Sequence, residues 1–299
     1  MKIRKTYEDR AVDLVVYIII GIVFIVTVYP FYYCLILSFN NGVDATKGGI
    51  FIWPRKFTFE NYIVVFSNRQ LTTAFGVTTM RTIIGTISSL ICTGLFAYSM
   101  AHRGLYFKKF YMGILIFSMY FSGGLIPYFL LLRSLNLLNT FWVYIIPALL
   151  SPFNVILMSA FFREISPSIE ESAKIDGAND ISIFFRIIIP LSAPIFATIA
   201  LYSAVGHWNA WFDAAYFTSD KNLKTISFWL IDLLNKVNHN DDAPALSGDN
   251  RGLLYANFSY TAQTLRVAMM IAVIIPIVCV YPFLQKYFVK GIMLGSVKG

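Results

Sequence analysis

Six apolar runs limit what this chain can fold into. They cover about 11–38, 72–100, 110–132, 141–162, 191–212 and 265–288. About 20 helical residues, rising ~1.5 Å each, cross a hydrocarbon core, and every run reaches that length. The pattern predicts an all-α membrane protein of six transmembrane helices, read as a single transmembrane domain over residues 1–299. The first run follows Lys2, Arg4, Lys5 and Arg10, which looks like the start of a signal peptide. It is too long for one and lacks a small-x-small cleavage site, so it reads as an uncleaved span.

Composition supports this class. Only 13% of residues are charged, against roughly 25% in soluble domains, while 57% are hydrophobic and 17% aromatic. The net charge of +8 does not mark a nucleic-acid binder, because the lysines and arginines gather near span ends rather than among aromatics on a soluble face. Cys34, Cys92 and Cys279 are scattered through apolar runs, too far apart in sequence for a disulfide framework or a zinc site.

The short loops set the expected orientation. The N-terminus, the break at 101–109 and the tail are basic; the turn at 133–140 carries only Arg133, and the 213–262 stretch has more aspartate than lysine and arginine. The positive-inside rule then puts both termini and the 164–190 segment in the cytoplasm, and the 40–71 and 213–262 loops outside. In the first outer loop Trp53, Pro54, Phe57 and Phe59 point to a segment lying in the membrane interface.

Charge and hydrophobicity mix most in EISPSIEESAKIDGANDISIFFRIIIPLSAP, from Glu164 to Pro194. It reads as two short helices joined by a glycine. Ser166 with Pro167 offers one start, and Ser168 with Glu171 another in capping-box spacing. Gly177 suits the turn between the helices, Asn179 or Asp180 can cap the second, and Pro190 stops it. A wet hairpin between two spans is too small for a domain but well shaped as a handle for a soluble partner.

Here the chain resembles the permease subunits of type I ABC importers. Their cytoplasmic loop has Glu-Ala-Ala, three residues, Gly, nine residues, then Ile-x-Leu-Pro; this chain has Glu171, Ser172, Ala173, Gly177, Ile187, Ile189 and Pro190. Ser172 and Ile189 depart slightly from that pattern in size. WPRKFTFENY, WNAWFDAAYF and the tail YFVKGIMLGSVKG are similar to the carbohydrate-uptake branch, the tail to the smaller maltose-type permease. The nearest likeness is to Gram-positive permeases for oligosaccharides from plant or other complex polysaccharides.

The resemblance implies the six-helix type I permease fold, in the plasma membrane of a Gram-positive bacterium, with alternating access as the mechanism. It implies a second homologous permease, two copies of a cytoplasmic ATPase, an extracellular solute-binding lipoprotein and membrane lipid as partners, with ATP and magnesium held by the ATPases. Glu170, Glu171, Ala173, Lys174, Asp176, Gly177, Ile187 and Pro190 become the ATPase-coupling set, with Ala173 and Gly177 allowing close approach. Gly291, Gly295 and Lys298 become the tail at the ATPase interface.

The residues themselves exclude other chemistry. There is no GxxxxGK[ST] loop, HExxH, CxxC or Gly-x-Ser-x-Gly, and His102, His207 and His239 are dispersed. No catalytic or metal-binding residue is assigned. The spans show almost no ionisable residue, which speaks against a proton- or sodium-coupled carrier and for an external energy source. Sugar recognition needs flat apolar faces beside polar groups. Tyr120, Phe121, Trp208, Asn209, Trp211 and Tyr216 fit by type, although an aromatic belt at the membrane boundary would use the same residues. The rivals are an importer of a non-sugar small solute and an ATP-independent channel or carrier.

Overall fold

The computed structural model describes residues 7–102, 104–237 and 260–296, and their side chains apart from Tyr7, Glu8, Ala11 and 283–296. Regular structure among the described residues is helical, and an isolated bridge joins Asn40 to Phe57. By their contacts the residues fall into two compact units, 1–68 with 232–274, and 69–231 with 275–299.

In the first unit α1 (Tyr7–Ser38) is the first apolar run. Its middle is bare: Tyr17, Phe24 and Val26 are each more than 60% exposed, which fits a helix solvated by lipid. Order builds at its end. Ile36 and Leu37 are buried with Ala45, Ile50 and Val267. The side-chain amide of Asn61, on α2 (Glu60–Ser67), donates to the carbonyls of Ser38 and Asn40 at 2.8 and 2.9 Å. That satisfies oxygens left over where α1 ends.

Asp44 accepts from Asn40 and from Arg55, at 3.2 and 3.1 Å. Those bonds, the Asn40 amide first, hold its carboxyl below the usual range. The 40–68 loop is therefore a folded cap. It still presents Phe51, Ile52 and Trp53 bare, as an interfacial segment requires.

The second unit is built on α3 (Arg69–Ala101), a 33-residue helix. Ala74, Thr78, Gly85, Ser89, Thr93 and Ala97 are buried along one stripe of it, at helical spacing. Small residues let helices approach closely in lipid, where apolar attraction between them is weak. At Gly85 a Cβ would lie 2.5 Å from the His207 ring, so only glycine admits that contact. His207 is on α9 (Ala193–Asn209).

The third, fourth and fifth apolar runs are interrupted. The third run is two helices, α4 (Lys108–Tyr120) and α5 (Leu125–Ser134), bent by 118° across Phe121–Gly124. Gly124 has φ +85°, a left-handed conformation that ends helical continuity. Thirteen and ten residues rise only about 20 and 15 Å, too little to cross alone. The fourth is two 3₁₀ turns over Phe141–Ala148 followed by α6 (Pro152–Phe162), bent by 44°. Length and composition thus give three spanning helices, Val12–Ser38, Arg69–Ala101 and Ala262–Pro282, or up to six if each bent pair is one span.

Candidate functional site

The 164–190 segment folds as two helices, α7 (Pro167–Ile175) and α8 (Asp180–Leu191). Pro167 occupies the first helical position, where a missing N–H costs nothing. Ser166 is the N-cap residue, but its hydroxyl makes no cap bond; it pairs with the Ser168 hydroxyl at 2.8 Å instead, so the capping box is not the start used. Gly177, at φ +83°, closes α7. Its N–H donates to the Lys174 carbonyl at 3.0 Å, and that of Ala178 to the Ala173 carbonyl at 2.9 Å, the two bonds of a Schellman turn. The Asn179 side chain then caps α8 by accepting from the Ser182 N–H at 2.8 Å.

The hairpin has an inner and an outer face. Ala173 is buried against the chain's own core, where its small size seats the hairpin on the bundle. Lys174 bridges to Asp180 at 3.0 Å, with side chains 43% and 68% exposed. Glu171, Ile175, Asp176 and Gly177 face outward, and Ile175 is 87% exposed. Glu170 is half-buried beside a charged cavity of about 390 Å³ that it shares with Lys108, Arg163 and Glu171. Lys108 donates to the carbonyls of Ala101 and His102, at 3.4 and 3.3 Å, placing a cation at the negative end of α3.

α8 transmits the hairpin into the bundle. Ile183, Phe184 and Ile188 are buried, and the Phe184 ring lies 5.6 Å from Tyr98 on α3 and 6.3 Å from Phe196 on α9. Ile187 packs against that core; Pro190 is exposed, and α8 ends one residue beyond it, at Leu191. The backbone widens into a π turn over Phe184–Ile188 just before Pro190, then bends by 87° into α9. Proline cannot donate to the carbonyl four residues back, and a π turn absorbs that loss. The apolar run of α8 hid this anchor, since its aromatic residues read equally well as span.

The second half of the site lies near the other end of α9. Arg81 of α3 is 2% exposed and pairs with Asp213. It also reaches the Ala210 carbonyl at 3.4 Å and stacks 4.5 Å from the Tyr144 ring centre. The Tyr144 hydroxyl donates to the Leu223 carbonyl at 2.7 Å, and the Ile226 N–H to Thr78 at 2.9 Å. These bonds clasp the 207–227 segment to α3. The expectation of spans nearly free of charge overlooked Arg81, sitting alone between TTM and TII. The stretch after Asp213 is not simply polar either: Ala214, Phe217 and Ile226 are buried.

The sugar-type residues divide. Trp208 is 8% exposed and its carbonyl accepts from Ser227, so it belongs to helix packing. Trp211 and Tyr216 lie on either side of Phe212, whose ring is 6.0 and 4.6 Å from theirs. Asn209 is exposed, as are Tyr120 and Phe121, at the end of α4. Phe212, which sequence reasoning passed over, shares a cavity with the Ser122–Gly124 break and so relates the two clusters. Of the expected tail residues, Gly291 and Gly295 lie in α10 (Ala262–Ser296), while Lys298 falls outside the described residues.

Comparison with known proteins supplies the context. Residues 90–294 match the family described as binding-protein-dependent transport system inner membrane component. The chain is 38% identical over 296 residues to protein LplC of Bacillus subtilis, covering 99% of this chain and 97% of that one. It is 35% identical over 294 residues to the polygalacturonan/rhamnogalacturonan transport system permease protein YtcP of the same organism, covering 98% and 100%. Among solved structures it matches a chain of a bacterial ABC transporter involved in the import of the acidic polysaccharide alginate. That match has TM-score 0.85 and 31% identity, covering 96% of this chain and 100% of that one.

Proposed function

The chain belongs to the family of binding-protein-dependent transport system inner membrane components, and on that premise we propose that it is the permease subunit of an ABC importer that takes up oligosaccharides. The names of its relatives support a glycan as cargo, including those of permeases for arabinooligosaccharides and galactooligosaccharides. Such a subunit is not an enzyme. The ATP and magnesium are held by a pair of cytoplasmic ATPases, and a second, homologous permease completes the pore. An extracellular solute-binding protein delivers the sugar. Each bent helix pair counts as one span, giving six, with both termini and the hairpin cytoplasmic, in the membrane of a Gram-positive cell.

The observation that carries the mechanism is the two-faced hairpin. Its outer face offers Glu171, Ile175 and Asp176 around the Gly177 turn, with Ile175 87% exposed among charged neighbours, a surface open to a partner. Its inner face is fixed to α3 and α9 through Ala173 and Phe184. An ATPase that grips the outer face as it closes on ATP therefore moves the bundle and exposes the path alternately to each side. The tail, through Gly291, Gly295 and Lys298, adds a second contact with the ATPases.

Cysteines placed at Glu171 and Ile175 should crosslink to the ATPase in the assembled importer and resist impermeant reagents in intact cells. Labelling from outside would overturn the topology. Uptake in liposomes holding this chain without any ATPase would favour the channel or carrier reading.

A further inference from the structure

The break between α4 and α5 leaves backbone groups open. The N–H groups of Ser122 and Gly123 find no acceptor among the described residues, and the carbonyls of Phe121, Ser122 and Gly123 find no donor. Non-helical backbone at membrane depth survives only where protein buries it or water reaches it. Here Ser122, Gly123 and Gly124 are exposed and line a cavity of about 560 Å³, together with Tyr128, Leu131 and Phe212. That volume lies within the roughly 300–1,000 Å³ of small-molecule sites.

The lining has a specific chemistry. It holds no carboxylate, lysine, arginine or histidine. It offers unpaired amides and carbonyls on one side. On the other are ring faces: Phe212, 41% exposed, and Tyr128, 39% exposed and held edge-on to Phe217 at 5.4 Å. Hydroxyl groups suit the first and the C–H face of a pyranose suits the second, whereas a sugar carboxylate would find no cationic side chain there.

We propose that the broken α4–α5 span is a sugar subsite, in which the Phe121–Gly124 backbone binds the hydroxyls of an uncharged pyranose unit and Phe212 stacks on its apolar face. This rests on the oligosaccharide-importer reading above. It adds a position in this chain, and a preference for uncharged units at that position.

The test uses the complete importer in liposomes, with Cys34, Cys92 and Cys279 of this chain replaced by alanine and Ser122→Cys introduced. A charged, impermeant thiol reagent should label that position. A galactooligosaccharide delivered by the binding protein should slow labelling severalfold, and trigalacturonate should not. Adding Phe212→Ala should abolish the protection, measured against that variant's own sugar-free rate, while Phe212→Tyr should preserve it. Absence of labelling, equal rates with and without the galactooligosaccharide, or protection by trigalacturonate alone would each refute the subsite. Uptake of the same two sugars by the unsubstituted importer separates the levels. Uptake without protection removes the subsite only, whereas uptake of neither sugar removes the importer reading and the subsite with it.

Discussion

At its C-terminal end α3 meets the hairpin, whose turns close through bonds between residues three to six positions apart. Farther back along the same helix, Arg81 and Thr78 hold the 207–227 segment through bonds spanning 129 to 148 positions. The first region is a local design that can be shaped before the bundle forms. The second exists only once distant spans have met. On the proposed mechanism a handle must keep its shape while an ATPase pulls on it, and local turns give it that independence. The clasp fixes where two spans cross, which no local signal can do.

Four substitutions probe this contrast, in falling order of effect. Asp213→Ala leaves Arg81 buried without its carboxylate and should destabilise the protein by about 3–5 kcal/mol, read as a lower unfolding midpoint in detergent. Arg81→Met should cost less, because Asp213 keeps partial access to solvent, and the double variant should resemble Arg81→Met. Equal losses for Asp213→Ala and Arg81→Met would mean that the pair is not what holds the segment.

Gly177→Val forces a branched side chain into a left-handed turn, at about 1–2 kcal/mol. Space is not the obstacle, since nothing lies within 4 Å of a Cβ there. The protein should still insert and fold, yet ATP hydrolysis should no longer drive uptake. Normal uptake by this variant would show that the turn does not set the docking face. Lys174→Ala removes an exposed pair with Asp180 and should change stability by less than about 1 kcal/mol, with uptake close to wild type. A large loss of uptake at unchanged stability would show that Lys174 serves the ATPase rather than the hairpin.

The hairpin was legible because its signals are short-range. Pro167 at the first position, Gly177 at the turn and Asn179 at the cap each need only their neighbours to act. Legibility stopped at the faces. Ala173 looked like a contact for a partner, and only packing shows that it points inward. The outer aromatics were half legible in the same way. Trp211 and Tyr216 lie open as their type foretold, whereas Trp208 turned into the bundle one helical step from His207.

What the sequence determined by itself is the solvent each stretch must live in. Run length and the scarcity of charge dictate helices in lipid, and proline, glycine and asparagine dictate where the wet hairpin turns. Only the tertiary structure decided that the third run breaks back on itself at Phe121–Gly124, that Arg81 finds Asp213, and that Phe212 joins the break to the outer aromatics. The physical reason is range. Hydropathy and backbone preference act within a few residues, whereas burying a charge or leaving a span open is tolerable only when groups distant in sequence arrive to complete the site.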